Sequence, residues 1–202
     1  MPDSQDYFIP HLRDLQRRGG AGTFLTPVQA AQAQRVFGNA VTLNGGFAQA
    51  ERVVPVFGAH ARDCYIAAIK LTFRAQDCIG HRDVLGAALA LGLERGVLGD
   101  ILTGQGEAWL VCLPRAACFL CENLTKVGKV GVKATQIPLK ELPVPAKNSR
   151  EIRGTVPSLR LDAVLSEAFA LSRGKAEEAL RARLVRLNHK ELSSGTRQLR
   201  AG

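Results

Sequence analysis

The amino-acid sequence predicts an α+β chain in three parts. A small α+β region spans 1–62, a β-α-β-β-α-β region spans 63–140, and a basic helix-helix-strand module spans 153–202, with a linker over 141–152. Three observations lead there. Short apolar runs such as Glu107–Leu113 read as strands, whereas apolar residues recur at three-and-four spacing at Leu161, Val164, Leu165 and Ala168. Pro138, Pro143 and Pro145, set among charged residues, interrupt regular structure as a linker does. Positive charge thickens after that point, with 11 Lys+Arg against 6 Asp+Glu from Arg150 onward and 16 against 12 before it.

In the first region Thr26 reads as an N-cap with Pro27 at the first helical position of the segment PVQAAQAQRVF, and Gly45-Gly46 marks a turn. Gly19, Gly20 and Gly22 lack the preceding strand and the GxxxxGK pattern of a phosphate loop, so they read as a flexible turn. In the second region, strands are expected at Ile66–Phe73, Leu98–Thr103, Glu107–Leu113 and Val130–Ile137. Helices are expected at Arg82–Leu93 and from Pro114 to Leu124. That order implies a ferredoxin-like, RRM-like sheet. The segment EAWLVCL offers only Trp109 to a stacked base, and aromatics are 5% of the chain, so any RNA contact should rest on phosphate and shape.

In the third region Ser172 reads as an N-cap, with a helix from about Arg173 that carries Ala176, Ala179 and Leu180 on one face. Arg173 and Lys175 then sit in its first turn, where the positive end of the helix dipole disfavours each by roughly 0.3–1 kcal/mol. A phosphate would reverse that sign by accepting from the free N–H groups and from both side chains. Val185 and Leu187 alternate with Arg186 as in a half-buried strand. Arg160, Arg181, Arg183, Arg186 and Lys190 extend the cationic surface, although such residues equally form ordinary solvated faces.

RLDAVL, LSRGKAEEAL and VRLN resemble the S4-type RNA-binding domain, in which two helices and a small sheet present a basic surface to structured RNA. Arg183 and His189 stand where that family usually has glycine, so the helix end and the hairpin turn are expected to be strained or differently shaped. The chain reaches QLRAG where such domains continue into a last strand, so the sheet is expected to lack it. Upstream, FLTP, GGFAQAERVV, HRDVLGAALALGLERGVLGDIL and CENLTKVG are similar to the YlmH family. That resemblance covers nearly the whole chain. It implies a cytoplasmic, bacterial, non-catalytic factor that binds structured rRNA or tRNA on large ribosomal subunits carrying stalled peptidyl-tRNA, encoded near cell-division genes. The RNA-binding residues it implies are Arg160, Ser172, Arg173, Lys175, Arg181, Arg183, Arg186 and Lys190.

Other chemistry finds little support. The net charge of +9 points to a polyanionic partner, and 46% hydrophobic content is that of a globular chain with real cores. Cys64, Cys78, Cys112, Cys118 and Cys121 form no disulfide framework, and the lone CxxC at 118–121 reads as an apolar helix face rather than zinc. The apolar run Val84–Leu93 is too short to cross a bilayer. His81-Arg82-Asp83 begins like a kinase catalytic loop, but Ala88 stands where the metal-binding Asn belongs, so Asp83 or a neighbour reads as a helix cap. Glu94, Arg95 and Asp100 read as orienting loops. Arg160-Leu161-Asp162 matches the catalytic triplet of pseudouridine synthases without its flanking residues, so Arg160 reads as a phosphate contact and Asp162 as a helix-start carboxylate. No catalytic residue, cofactor, metal or small-molecule substrate is indicated. An RNA-modifying enzyme of pseudouridine-synthase type and a cell-division interaction protein stand as the alternatives.

Overall fold

Local hydrogen bonding starts the second helix of the chain, which is described here from a computed structural model covering residues 8–58, 65–143, 152–187 and 190–199. Helix α1 (Phe8–Arg18) buries Leu12 and gives way to the short strand β1 (Gly20–Ala21). The Thr26 hydroxyl accepts from the Gln29 N–H at 3.4 Å, and the Gln29 side chain accepts from the Thr26 N–H at 2.9 Å. With Pro27 following, this capping box starts α2 (Pro27–Phe37) where the sequence predicts it. Strands β2 (Val41–Asn44) and β3 (Val54–Phe57) pair antiparallel, and β1 joins β3, giving the order β1-β3-β2. Leu12, Leu25, Ala33 and Phe57 bury together there, with Phe37 edge-on to Phe57 at 5.1 Å.

The next segment runs β4 (Ala67–Thr72), α3 (His81–Ala90), β5 (Leu98–Thr103), β6 (Glu107–Cys112) and α4 (Pro114–Asn123). It ends in β7 (Lys126–Val127), β8 (Val130–Gly131) and β9 (Lys133–Ile137). Four of these strands form one sheet in the order β5-β6-β4-β9, each neighbouring pair antiparallel. The strand expected over Val130–Ile137 is broken in two. Gly128, at φ +58°, turns the chain so that Val127 pairs with Val130, and only Lys133 onward reaches β4. Ile69, Leu71, Val84, Ala88, Leu98, Leu110 and Leu120 form the core of this sheet and its helices.

Phe24, Val54 and Val56 bury in that same core. The backbone must come close there: a Cβ on Gly99 would stand 2.7 Å from a Phe24 ring carbon and 3.1 Å from the Val111 Cβ. Arg52 braces the junction, donating through Nε to the Leu98 carbonyl at 3.0 Å and through Nη2 to the carbonyls of Phe24 at 3.0 Å and Arg95 at 3.3 Å. Asp100 accepts from the N–H groups of Glu51 and Arg52, and Arg95 donates to the Leu98 carbonyl at 2.6 Å, so Arg95 and Asp100 do orient loops.

The chain divides into two compact units, Met1–Pro145 and Ala146–Gly202. Most of the linker span falls on 144–151, outside the described residues. The second unit contains α5 (Leu161–Phe169), α6 (Arg173–Arg181), β10 (Arg186–Leu187) and β11 (Lys190–Glu191), the two strands forming an antiparallel hairpin. Leu161, Ala163, Ala176 and Leu180 are buried. Val164, Leu165 and Ala168, expected on the buried face of α5, are only half-buried, whereas Asp162 is 5% exposed. The cause is non-local: the last described segment covers the start of the helix. Leu161 and Asp162 donate to the carbonyls of Arg197 and Gly195, and Leu199 donates to Leu159, with an isolated bridge between Arg160 and Gln198.

Candidate nucleic-acid interface

The start of α6 is built as its residues dictate. The Ser172 hydroxyl accepts from the Lys175 N–H at 3.3 Å, and no acidic residue occupies the first turn. Arg173 and Lys175 therefore stand at the positive end of the dipole. Neither lies within ion-pair distance of a carboxylate among the described residues.

Arg160 occupies the N-cap position of α5 and caps nothing with its side chain. Its guanidinium instead forks onto Asp162, with Nε to Oδ1 at 3.1 Å and Nη2 to Oδ2 at 2.8 Å; the arginine side chain is 45% exposed and the aspartate 7%. Asp162 Oδ1 also accepts from the Ala163 N–H at 2.9 Å. The Arg160 hydrogen bond is the main cause that holds the Asp162 carboxyl below its usual range, against an opposing contribution from burial. The charge of Arg173 adds to the lowering, so Arg160 and Arg173 act on one carboxylate. The same hydrogen bond, with the carboxylate's charge, raises Arg160.

A cavity of about 250 Å³ opens beside this fork. Arg160, Asp162, Glu177 and Arg181 line one side and the segment Ser193–Thr196 the other, where the hydroxyls of Ser194 and Thr196 are 2.8 Å apart. Arg181 approaches Glu177 at 3.7 Å across one turn, both exposed, a pair of little strength. The serine and threonine hydroxyls were missed in the sequence, where Ser-Ser-Gly-Thr signals only a loop.

Arg183 and Arg186 do not line that cavity. Arg183 sits at φ +55° just past α6, its N–H bonded to the Leu180 carbonyl at 3.0 Å and the Leu184 N–H to Ala179 at 3.0 Å. This is a Schellman cap with arginine at the left-handed position that favours glycine, the strain expected from the sequence. Arg186 pairs with Glu191 across the hairpin at 3.2 Å. Lys190 is placed in β11 by its backbone, while its side chain, Asn188 and His189 lie outside the described residues.

In the first unit Trp109 is half-buried, and the Lys70 ammonium lies 5.9 Å from its ring centroid while bonding Glu107 at 2.7 Å. Asp83 Oδ2 accepts from the Gly80 N–H at 2.8 Å, a capping contact at the start of α3. Cys118 is exposed, Cys121 half-buried and Cys112 buried; burial, with a smaller contribution from Cys121, pushes the Cys112 thiol up to about 12. Among the described residues no group of three or more His, Cys, Asp and Glu could hold a metal ion, and no helix is long and apolar enough to cross a membrane.

Fold and site together define a mixed α/β protein with antiparallel sheets and a separate basic two-helix unit. Residues 63–141 match the family model described as "Putative RNA-binding domain in YlmH". The chain is 31% identical over 180 residues to the "Ribosome-associated protein quality control protein P2" of Bacillus subtilis (strain 168), covering 83% of this chain and 68% of that one. Its fold is similar to that of the "Cell division protein ylmH from Streptococcus pneumoniae", with a TM-score of 0.58 at 18% identity over 68% of this chain and 90% of that one. The chain belongs to the YlmH family.

Proposed function

We propose that this protein is a non-catalytic, cytoplasmic RNA-binding factor that docks its C-terminal unit on structured rRNA or tRNA, on the large ribosomal subunit with stalled peptidyl-tRNA. The observation that carries this reading is the start of α6, where Ser172 caps the helix while Arg173 and Lys175 crowd its positive end with no carboxylate within ion-pair distance among the described residues. An S4-type assignment of that unit agrees with it, as does a ferredoxin-like assignment of the sheet ordered β5-β6-β4-β9. Arg160, Arg181, Arg183, Arg186 and Lys190 widen the footprint. The name of the Bacillus relative, a ribosome-associated quality control protein, supports the ribosomal setting.

The geometry at Asp162 favours binding over base modification. A carboxylate 5% exposed and held by a guanidinium fork and a backbone N–H is poorly placed to attack a base. If about four to six phosphates are neutralised, log affinity falls with log salt at a slope of roughly −3 to −5. The deciding experiment is sedimentation of cell extract with detection of this chain in large-subunit fractions, repeated with R173A/K175A. Wild-type chain found only in the free fractions, or equal ribosomal association of the variant, refutes the proposal.

A further inference from the structure

We propose that the open cavity between α1, the Gly19–Thr23 segment and the start of α4 is a second RNA subsite, one that takes a single unpaired nucleotide. This rests on the RNA-binding reading above and extends it to the first unit. The cavity measures about 540 Å³, within the roughly 300–1,000 Å³ common for ligand sites.

Its lining suits one chemical class. His11 and Arg18 of α1 and Arg115 in the first turn of α4 supply cationic or titratable nitrogen, and Tyr65, Leu15 and Pro114 supply ring and aliphatic surface. Among the described residues no carboxylate lines it. Asp14 lies on the same helix and reaches both Arg18, at 2.6 Å, and Arg17, at 3.4 Å, so one negative charge faces two positive ones. Arg115 has no side-chain partner among the described residues. It stands at the positive end of a helix whose N-cap, Leu113, offers no side-chain acceptor and whose first residue, Pro114, has no N–H.

An anion with an apolar ring attached satisfies both halves of this lining, and a nucleotide is such an anion. The lack of a carboxylate among the described lining residues argues against a magnesium-bound nucleoside triphosphate, whose metal needs oxygen ligands. The open side of the cavity leaves room for the chain to continue past the bound residue, with Arg18 and Arg115 on successive phosphates.

The test uses the full chain and three probes: an unstructured single-stranded RNA of about ten nucleotides, enough to fill a typical single-strand site, a fully paired duplex of the same length, and AMP. R18Q/R115Q should weaken single-strand binding about tenfold and reduce the magnitude of its salt slope by about 1.4, while duplex binding changes less than about twofold. Arg115→Lys, which keeps the charge, should restore part of the loss when introduced with native Arg18. Competition by millimolar AMP against the single strand but not the duplex supports the pocket. AMP binding as tight as the single strand makes this a free-nucleotide site and overturns the RNA assignment. Equal single-strand affinity of R18Q/R115Q overturns the proposal alone, whereas a wild-type chain that binds neither RNA removes the RNA-binding reading with it.

Discussion

Arg183→Gly separates folding from binding at one position. Arg183 holds φ +55° within the cap that closes α6, with both cap hydrogen bonds at 3.0 Å made by backbone atoms. A left-handed conformation costs a residue with a Cβ roughly 1–2 kcal/mol, and glycine removes that strain. Glycine also frees the unfolded chain, which takes back about 0.4–1 kcal/mol. The side chain is exposed, so little packing is lost. The net expectation is a gain of about 0.5–1 kcal/mol, or about 2–8 °C in the unfolding transition of a unit this small. Arg183→Ala serves as the control, because it removes the charge while keeping the strain. Calorimetry of the full chain should show a gain for glycine and none for alanine, and both variants should lose RNA affinity with about 0.7–0.9 less salt slope. A glycine variant no more stable than the alanine variant refutes the strain argument. Unchanged RNA affinity in both refutes the placement of Arg183 in the footprint.

Three further outcomes are expected. Arg52→Ala removes the donors to the carbonyls of Phe24, Leu98 and Arg95 and should lower the stability of the first unit by roughly 2–4 kcal/mol in urea unfolding; a change below about 0.5 kcal/mol would show the brace to be dispensable. Alkylation at pH 8 should label exposed Cys78 and Cys118 in the native protein but leave Cys112, buried and with its thiol at about 12, until the chain unfolds; native labelling of Cys112 would contradict its burial. Asp162 is held below the usual carboxylate range, so its stabilising contribution is present above about pH 4 and disappears as pH falls through the lowered value. Melting curves between pH 6 and 2 should show a steeper acid decline for the second unit of wild type than of Asp162→Asn, and parallel declines would count against the fork.

Elements specified by neighbours in sequence were legible before the structure. Thr26 and Pro27 marked the start of α2 and Ser172 that of α6, while the Gln29 half of the capping box was not read. Helix α1 was not read. The break between β8 and β9 was hidden because alternation continues through Val132, while a tight turn at Gly128 diverts β8 to a different partner. The burial of Asp162 could not be seen locally either, since it depends on Gly195 and Arg197 more than thirty residues away. Arg160, read as a phosphate contact, proves to be shared with Asp162 only two residues on, a pairing that depends on side-chain geometry and not on spacing. The α6 cations were legible because a broken helix rule needs only the helix itself to be noticed.

The two ends of α6 break different rules, and the difference has consequences for how binding and stability are linked. Arg173 and Lys175 oppose the dipole, which costs roughly 0.3–1 kcal/mol each. Arg183 adds backbone strain of about 1 kcal/mol or more. The buried apolar side chains opposing these costs in this unit are Leu161, Ala163, Ala176 and Leu180, a small set among the described residues. On the reading proposed above, a phosphate at the helix start changes the sign of the first cost and leaves the second untouched, because strain at φ +55° does not depend on charge. Bound RNA therefore recovers stability at Arg173 and Lys175, a gain contained in its binding free energy, while the Arg183 strain is carried equally in the free and bound states. Strain that binding does not relieve, at a position where glycine would fold better, is accounted for most directly by the charge that arginine places there.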